Sequence, residues 1–122
     1  MKKILIVEDN EDLLIIYRKV FSKTKDTFQV LEKDNAEAAL SIIDDVNPDL
    51  MIIDISLPGM SGLELTQKIH HKYPSIKIII ATAHEPSRFY DYATNAGAQS
   101  VISKDIGVDA LISMCKGMLR IP

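Results

Sequence analysis

Leu50-Met51-Ile52-Ile53-Asp54-Ile55-Ser56-Leu57-Pro58-Gly59 is an apolar run that delivers one carboxylate into a Pro-Gly turn. A run this short and this uniformly apolar reads as a strand buried on both faces. Asp54 falls where that strand gives way to a loop. The pattern recurs along the chain. Ile4-Leu5-Ile6-Val7 ends in Glu8-Asp9, Ile78-Ile79-Ile80-Ala81 ends in Thr82, and Val101-Ile102-Ser103 ends in Lys104. Each of these apolar strands carries a polar or charged group at its carboxyl end. In an open parallel sheet those ends share one edge, and sites form along it.

Between these runs the periodicity turns helical. A first strand is expected over Lys3–Val7 and a first helix from Asn10 or Glu11 to Phe21. Leu13, Tyr17, Val20 and Phe21 share one face of that helix, with Ile16 at its margin. Phe28–Lys33 reads as a weaker strand. Asp34 is the expected N-cap of a second helix, with Glu37 at capping-box spacing and an apolar stripe of Ala36, Ala39, Leu40 and Ile43. The central strand spans Leu50–Asp54. Ser61 with Glu64 caps a third helix that points Leu65 and Ile69 inward, and Tyr73-Pro74-Ser75 ends it. Lys77–Ala81 is the fourth strand. A short helix over about Ser87–Asn95 closes at a left-handed Gly97. The fifth strand, Ser100–Ser103, precedes a last helix from about Val108 to Leu119, striped by Leu111, Met114, Cys115, Met118 and Leu119.

Five strand–helix units with short crossovers require parallel pairing and right-handed connections. The expected fold is a three-layer α/β domain of (βα)5 type, flavodoxin-like, with a parallel five-stranded sheet of order 2-1-3-4-5 and helices on both faces. That order sets the first and third strands side by side, so Glu8, Asp9 and Asp54 converge.

The 122 residues suit one domain, 1–122, with a single core. A hydrophobic share of 47% with little Gly or Pro excludes a disordered chain. A net charge of -3 without a basic block gives no reason to expect nucleic-acid contact. Cys115, the one cysteine, has no internal disulfide partner and reads as core packing. No apolar run approaches the ~18 residues of a membrane span. Met1–Val7 is too short for a signal core and meets Glu8-Asp9, so the expected compartment is the cytosol.

Convergent carboxylates in partial burial repel one another and lose hydration, so they call for a cation or a proton. All-oxygen ligands favour a hard ion, and Mg²⁺ uses few carboxylates while keeping several waters. Asp9, Asp54 and the Ser56 main-chain carbonyl are the candidate direct ligands, with Glu8 completing the acidic pocket. Asp54 is then the candidate nucleophile, since aspartate can form an aspartyl phosphate. Phosphoryl transfer needs charge balance on the equatorial oxygens, and the Lys104 ammonium and Thr82 hydroxyl are placed to give it.

With these residues in hand, the chain resembles the phosphoacceptor receiver (CheY-like) domain of bacterial two-component response regulators. The matching pieces are Ile6-Val7-Glu8-Asp9-Asn10, Asp54-Ile55-Ser56-Leu57-Pro58-Gly59-Met60-Ser61-Gly62, Ala81-Thr82-Ala83, Ala96-Gly97-Ala98 and Lys104. The resemblance implies phosphorylation of Asp54 by a histidine kinase or histidine phosphotransfer protein, with Mg²⁺ (or Mn²⁺) held by Asp9, Asp54 and the Ser56 carbonyl. Glu8 acts there through water. Thr82 and Lys104 match the switch hydroxyl and the pocket lysine. Ser56 and His84 fall at positions that tune phosphoryl lifetime. The implied module signals to an output partner or to a DNA-binding domain outside this chain, and activated members often dimerise. It is a signalling phosphoacceptor rather than a metabolic enzyme, with self-catalysed phosphoryl uptake and slow autodephosphorylation.

Two positions depart from the family pattern. Val101 stands where members commonly carry Tyr or Phe, so the usual inward-swinging ring is missing. Asp105 stands where a cis proline commonly follows the lysine, so a trans bond is expected. The Lys104-Asp105 pair resembles receivers attached to LuxR/NarL-type helix-turn-helix domains. These departures keep a phosphorylation-independent protein-interaction module as the alternative. A haloacid-dehalogenase-like phosphohydrolase would need a second aspartate where Ser56 stands. A nucleotide-binding module would need a Gly-rich loop where Glu8-Asp9 stands. Tyr90 and Tyr92 lie on the fourth helix, where one exposed ring could serve contact. His70 and His71 read as surface residues.

Overall fold

The computed structural model describes residues 1–122. Its elements are β1 (Lys2–Val7), α1 (Glu11–Ser22), β2 (Phe28–Lys33), α2 (Ala36–Val46), β3 (Leu50–Asp54), α3 (Gly62–Lys72), β4 (Lys77–Thr82), a 3-10 turn (Pro86–Arg88), α4 (Tyr90–Ala96), β5 (Ser100–Ser103) and α5 (Val108–Met118). The sheet order is β2-β1-β3-β4-β5, with every pair parallel, as expected.

Successive strand residues point to opposite faces, and both faces are covered. Leu5, Val7, Met51, Ile53, Ile78 and Ile80 face one way, where they meet Ala39 and Ile43 of α2, Leu65 and Ile69 of α3, and Ala93 of α4. Ile4, Ile6, Leu50, Ile52, Ile79 and Ile102 face the other way, against Leu13, Tyr17 and Phe21 of α1 and Leu111 and Cys115 of α5. All five residues of β3 are buried. This two-faced burial is why its sequence shows no polar alternation.

The helix starts follow their caps. Asn10 Oδ1 accepts the Leu13 N–H at 3.0 Å, and Ser61 Oγ accepts the Glu64 N–H at 3.2 Å. The second helix corrects the expected cap. Asn35, not Asp34, holds the N-cap, with its Oδ1 accepting the Ala38 N–H at 2.8 Å. Asn and Asp cap equally well, so side-chain preference cannot choose between neighbours. Burial of Ala36, Ala39 and Ile43 sets a helix register that begins at Ala36. In that register Glu37 is one residue short of the capping-box position, and its carboxylate instead accepts the Met60 N–H at 3.3 Å. Asp34 accepts from the Asn35 amide group at 2.8 Å.

The segment after β4 is also not one continuous helix from Ser87. It starts as the 3-10 turn, breaks at Phe89 (φ −113°, ψ 1°) and becomes α-helical only at Tyr90. Gly97 closes α4 at φ 116°, and a Cβ there would sit 2.3 Å from His70 Cγ, so only glycine fits this crossing of α3 and α4. On α5, Leu111 and Cys115 are buried while Met114, Met118 and Leu119 only lean on the core, a narrower stripe than expected. Both Tyr90 and Tyr92 are exposed. All peptide bonds are trans, Lys104–Asp105 included. No helix is long and apolar enough to cross a membrane.

Candidate functional site

β1 and β3 are paired from Ile4↔Leu50 to Val7↔Ile53, so the residues that follow, Glu8 and Asp54, emerge side by side. Oxygen atoms of Glu8, Asp9 and Asp54 all lie within 4.8 Å of one another. Glu8 and Asp54 are buried, and Asp9 is exposed at the rim. Lys104, one residue past β5, reaches back to both. Its Nζ lies 3.1 Å from Asp54 Oδ2 and 3.1 Å from Glu8 Oε1. A longer hydrogen bond of 3.4 Å runs to Glu8 Oε2.

The backbone fixes these carboxylates. The Ser56 N–H donates to Asp54 Oδ1 at 3.0 Å, and the Asn10 N–H donates to Glu8 Oε2 at 3.1 Å. These are Asx-type turns in which the side chain takes the place of a carbonyl. The loop after Asp54 folds tightly over it. The Gly62 N–H donates to the Ile55 carbonyl at 3.1 Å, and a Cβ on Gly62 would stand 2.0 Å from the Asp54 carbonyl oxygen. Gly62 is therefore a site residue that the sequence displayed only as part of a motif. Its signal was a glycine at the first position of a helix, where its flexibility has no helical use.

Electrostatics follow from this crowding. Burial pushes the Glu8 carboxyl up to about 7, and the neighbouring Asp54 pushes the same way, against the Asn10 amide and Lys104. Burial works against the Lys104 charge, yet the Asp54 and Glu8 carboxylates outweigh it and raise the ammonium's pKa. Glu8 Oε1 accepts no well-directed hydrogen bond even though it is buried. Three carboxylates gathered within 4.8 Å, an all-oxygen set with two members buried and one ammonium to offset them, fit a hard divalent cation such as Mg²⁺.

Thr82, Ser56 and His84 complete the predicted set. Thr82 is the buried last residue of β4, next to β3 in the sheet, and its Oγ1 accepts the His84 N–H at 3.0 Å. Ser56 is exposed above Asp54, held there through its own amide. The exposed His84 turns its ring to Phe89, 6.0 Å between centroids. Glu8, Asp9, Asp54 and Lys104 thus meet directly. Thr82 closes the adjacent strand end, and His84 joins it through the backbone.

Comparison with known proteins gives the same answer. The sequence profile of the response regulator receiver domain matches residues 4–116. The chain is 30% identical over 118 residues to sporulation initiation phosphotransferase F of Bacillus subtilis, covering 97% of this chain and 94% of that protein. It is 24% identical over 114 residues to the transcriptional regulatory protein DegU of Brevibacillus brevis, covering 93% of this chain but 48% of that protein. It spans 52% of the response regulator GacA of Pseudomonas aeruginosa, so it covers about half the length of such regulators. Among solved structures, it superposes on a CheY-like receiver domain protein from Methanospirillum hungatei. The TM-score is 0.89 at 29% identity, with 98% and 94% of the two chains covered. A LuxR-family two-component response regulator from Aurantimonas gives 0.87 at 27% identity, with 97% and 84% covered. Sheet order, strand-end cluster and profile match agree that this chain belongs to the receiver-domain family of two-component response regulators.

Proposed function

We propose that residues 1–122 form a single phosphoacceptor unit in which Asp54 takes a phosphoryl group from a histidine kinase or histidine phosphotransfer protein. The observation that carries this reading is the clamped Asp54 carboxylate. The Ser56 amide holds one oxygen and the Lys104 ammonium pairs with the other, at the end of a fully buried strand. A side chain so restrained is pre-oriented for in-line attack.

In the transfer, an Asp54 oxygen forms a bond to phosphorus as the P–N bond of the donor phosphohistidine breaks. The departing imidazole takes up a proton. Lys104, already paired with Asp54 Oδ2, shifts its charge to a phosphoryl oxygen as the carboxylate becomes an acyl phosphate. The Thr82 hydroxyl donates to a second oxygen. Asp9, Asp54 and the Ser56 carbonyl would hold Mg²⁺ or Mn²⁺, with Glu8 behind them. When bound, the ion supplies positive charge against the carboxylates and the phosphoryl oxygens. Ser56 and His84, exposed beside the pocket, set how readily water reaches the acyl phosphate. The unit is then a switch that catalyses its own loading and slow discharge, not a turnover enzyme. It works in the cytoplasm on an output partner. Relatives named as transcriptional regulatory proteins, about twice as long, favour a DNA-binding domain as one such output. The activated unit then dimerises.

The test is intact mass after incubation with Mg²⁺ and acetyl phosphate. The chain should gain one phosphoryl group, and Asp54→Asn or added chelator should abolish the gain. A folded protein that gains none, from acetyl phosphate or from a phosphorylated phosphotransfer protein, would favour the phosphorylation-independent interaction module.

A further inference from the structure

The Thr82 side chain makes one hydrogen bond, in which its Oγ1 accepts the His84 N–H at 3.0 Å, while its carbonyl accepts the Lys104 N–H at 2.8 Å. β5 offers no aromatic ring to carry movement of Thr82 onward. Val101, level with Ile80 in the sheet, is a small half-buried side chain. Yet a ring does occupy the space between this loop and the core. Phe89 packs against the same core cluster as Val101, and its ring lies 6.0 Å from that of His84. The Arg88 guanidinium sits 5.7 Å from the same ring. Of the Phe and Tyr rings between Thr82 and Lys104, the others, Tyr90 and Tyr92, are exposed and pack on nothing comparable.

Phe89 is also the joint on which α4 depends. It sits between the 3-10 turn and the helix, its carbonyl accepts the Ala93 N–H at 2.9 Å, and no side chain caps α4. A seven-residue helix without a side-chain N-cap does not hold itself together and takes its position from tertiary packing. Whatever moves Phe89 therefore moves α4.

We propose that Phe89, engaged by the His84 ring and through it by the His84–Thr82 hydrogen bond, is the positioning residue that transmits the state of Asp54 to α4 in this chain. The inference rests on the reading of Asp54 as phosphoacceptor. A Thr82 hydroxyl that turns to donate to a phosphoryl oxygen either draws the His84 amide with it or releases it. In both cases the His84 ring shifts against Phe89, and α4 follows.

The experiment pairs two readouts on the full chain with Mg²⁺ and acetyl phosphate. Intact mass gives the phosphoryl load, and amide NMR shifts give the response of residues 90–96. Wild type and three variants, Phe89→Leu, Phe89→Tyr and His84→Ala, are compared at equal load. The α4 response should shrink by about threefold or more in Phe89→Leu and in His84→Ala, and persist in Phe89→Tyr, while shifts around Asp54 in the two Phe89 variants stay as in wild type. A full α4 response in His84→Ala or in folded Phe89→Leu overturns the inference and leaves the phosphoacceptor reading intact. His84→Ala changes an exposed side chain, so it remains informative if Phe89→Leu does not fold. A wild type that takes up no phosphoryl group from any donor overturns both.

Discussion

Lys104 is the one cation paired with Glu8 and Asp54, and this gives it two opposed effects. It offsets buried negative charge, and it competes with any metal ion for the same oxygens. Lys104→Met should therefore tighten Mg²⁺ binding in a calorimetric titration while sharply reducing phosphoryl uptake. It should also cost about 2 kcal/mol or more of stability, because a buried carboxylate loses its partner. Weaker Mg²⁺ binding in the variant would contradict this charge balance. Glu8 sets the pH response. Its carboxyl is raised to about 7 in the folded protein, chiefly by burial, from an ordinary value of 4.5. Below the ordinary value both folded and unfolded chains hold the proton. Above it the unfolded chain loses the proton while the folded one keeps it, so the metal-free protein should lose stability as pH rises toward about 7. The deprotonated form binds metal, so Mg²⁺ affinity should rise over the same window and on to about pH 8. Thermal melts and titrations across this range check both slopes. An affinity that is flat with pH would show that Glu8 does not take part.

Elements were legible where the pattern was long and one-sided. β3 and β4 read directly from uninterrupted apolar runs, and α3 read from Ser61 with Glu64. Asp34 and Asn35 were not separable, because two good caps stood side by side and only burial of Ala36 distinguished them. Asn35→Ala should cost about 1 kcal/mol in chemical denaturation, and Asp34→Ala only a few tenths. Equal costs would show that both cap. The break at Phe89 escaped because Ser87–Asn95 carries no proline inside it, and the interruption arises from packing of that ring. Within the site, Glu8, Asp9, Asp54 and Lys104 could be brought together from strand ends alone. The His84–Thr82 and Ser56–Asp54 bonds could not, since their donors are backbone N–H groups that leave no mark on side-chain pattern. Gly62 belongs to this group of hidden determinants. Gly62→Ala would press a methyl into the Asp54 carbonyl, which is backbone and cannot swing aside. It should destabilise by about 1–3 kcal/mol and displace the loop that orients Asp54, so that phosphoryl uptake falls as well. Unchanged stability and uptake would mean that the loop is looser than its contacts imply.

At the scale of the molecule, stability and chemistry are held apart. Two apolar layers on either face of the sheet make the core, and the charged cluster sits wholly at one edge. The fold should therefore survive chelation, with Mg²⁺ adding stability only by mass action, about 2.7 kcal/mol at a hundredfold excess over Kd. A single melt that moves up continuously with Mg²⁺ is expected, and an unfolded metal-free chain would contradict it. The same separation explains why a site of like charges can persist in a domain this small, since the core does not depend on it. The central claim is that Asp54, and no other side chain, carries the phosphoryl group. Borohydride reduces an acyl phosphate on aspartate to homoserine, so trapping the loaded protein and mapping its peptides by mass tests that claim most directly. The account predicts homoserine at position 54 alone, appearing only with Mg²⁺ and donor. Homoserine at Asp9, or phosphate retained at His84 with position 54 unmodified, would contradict it.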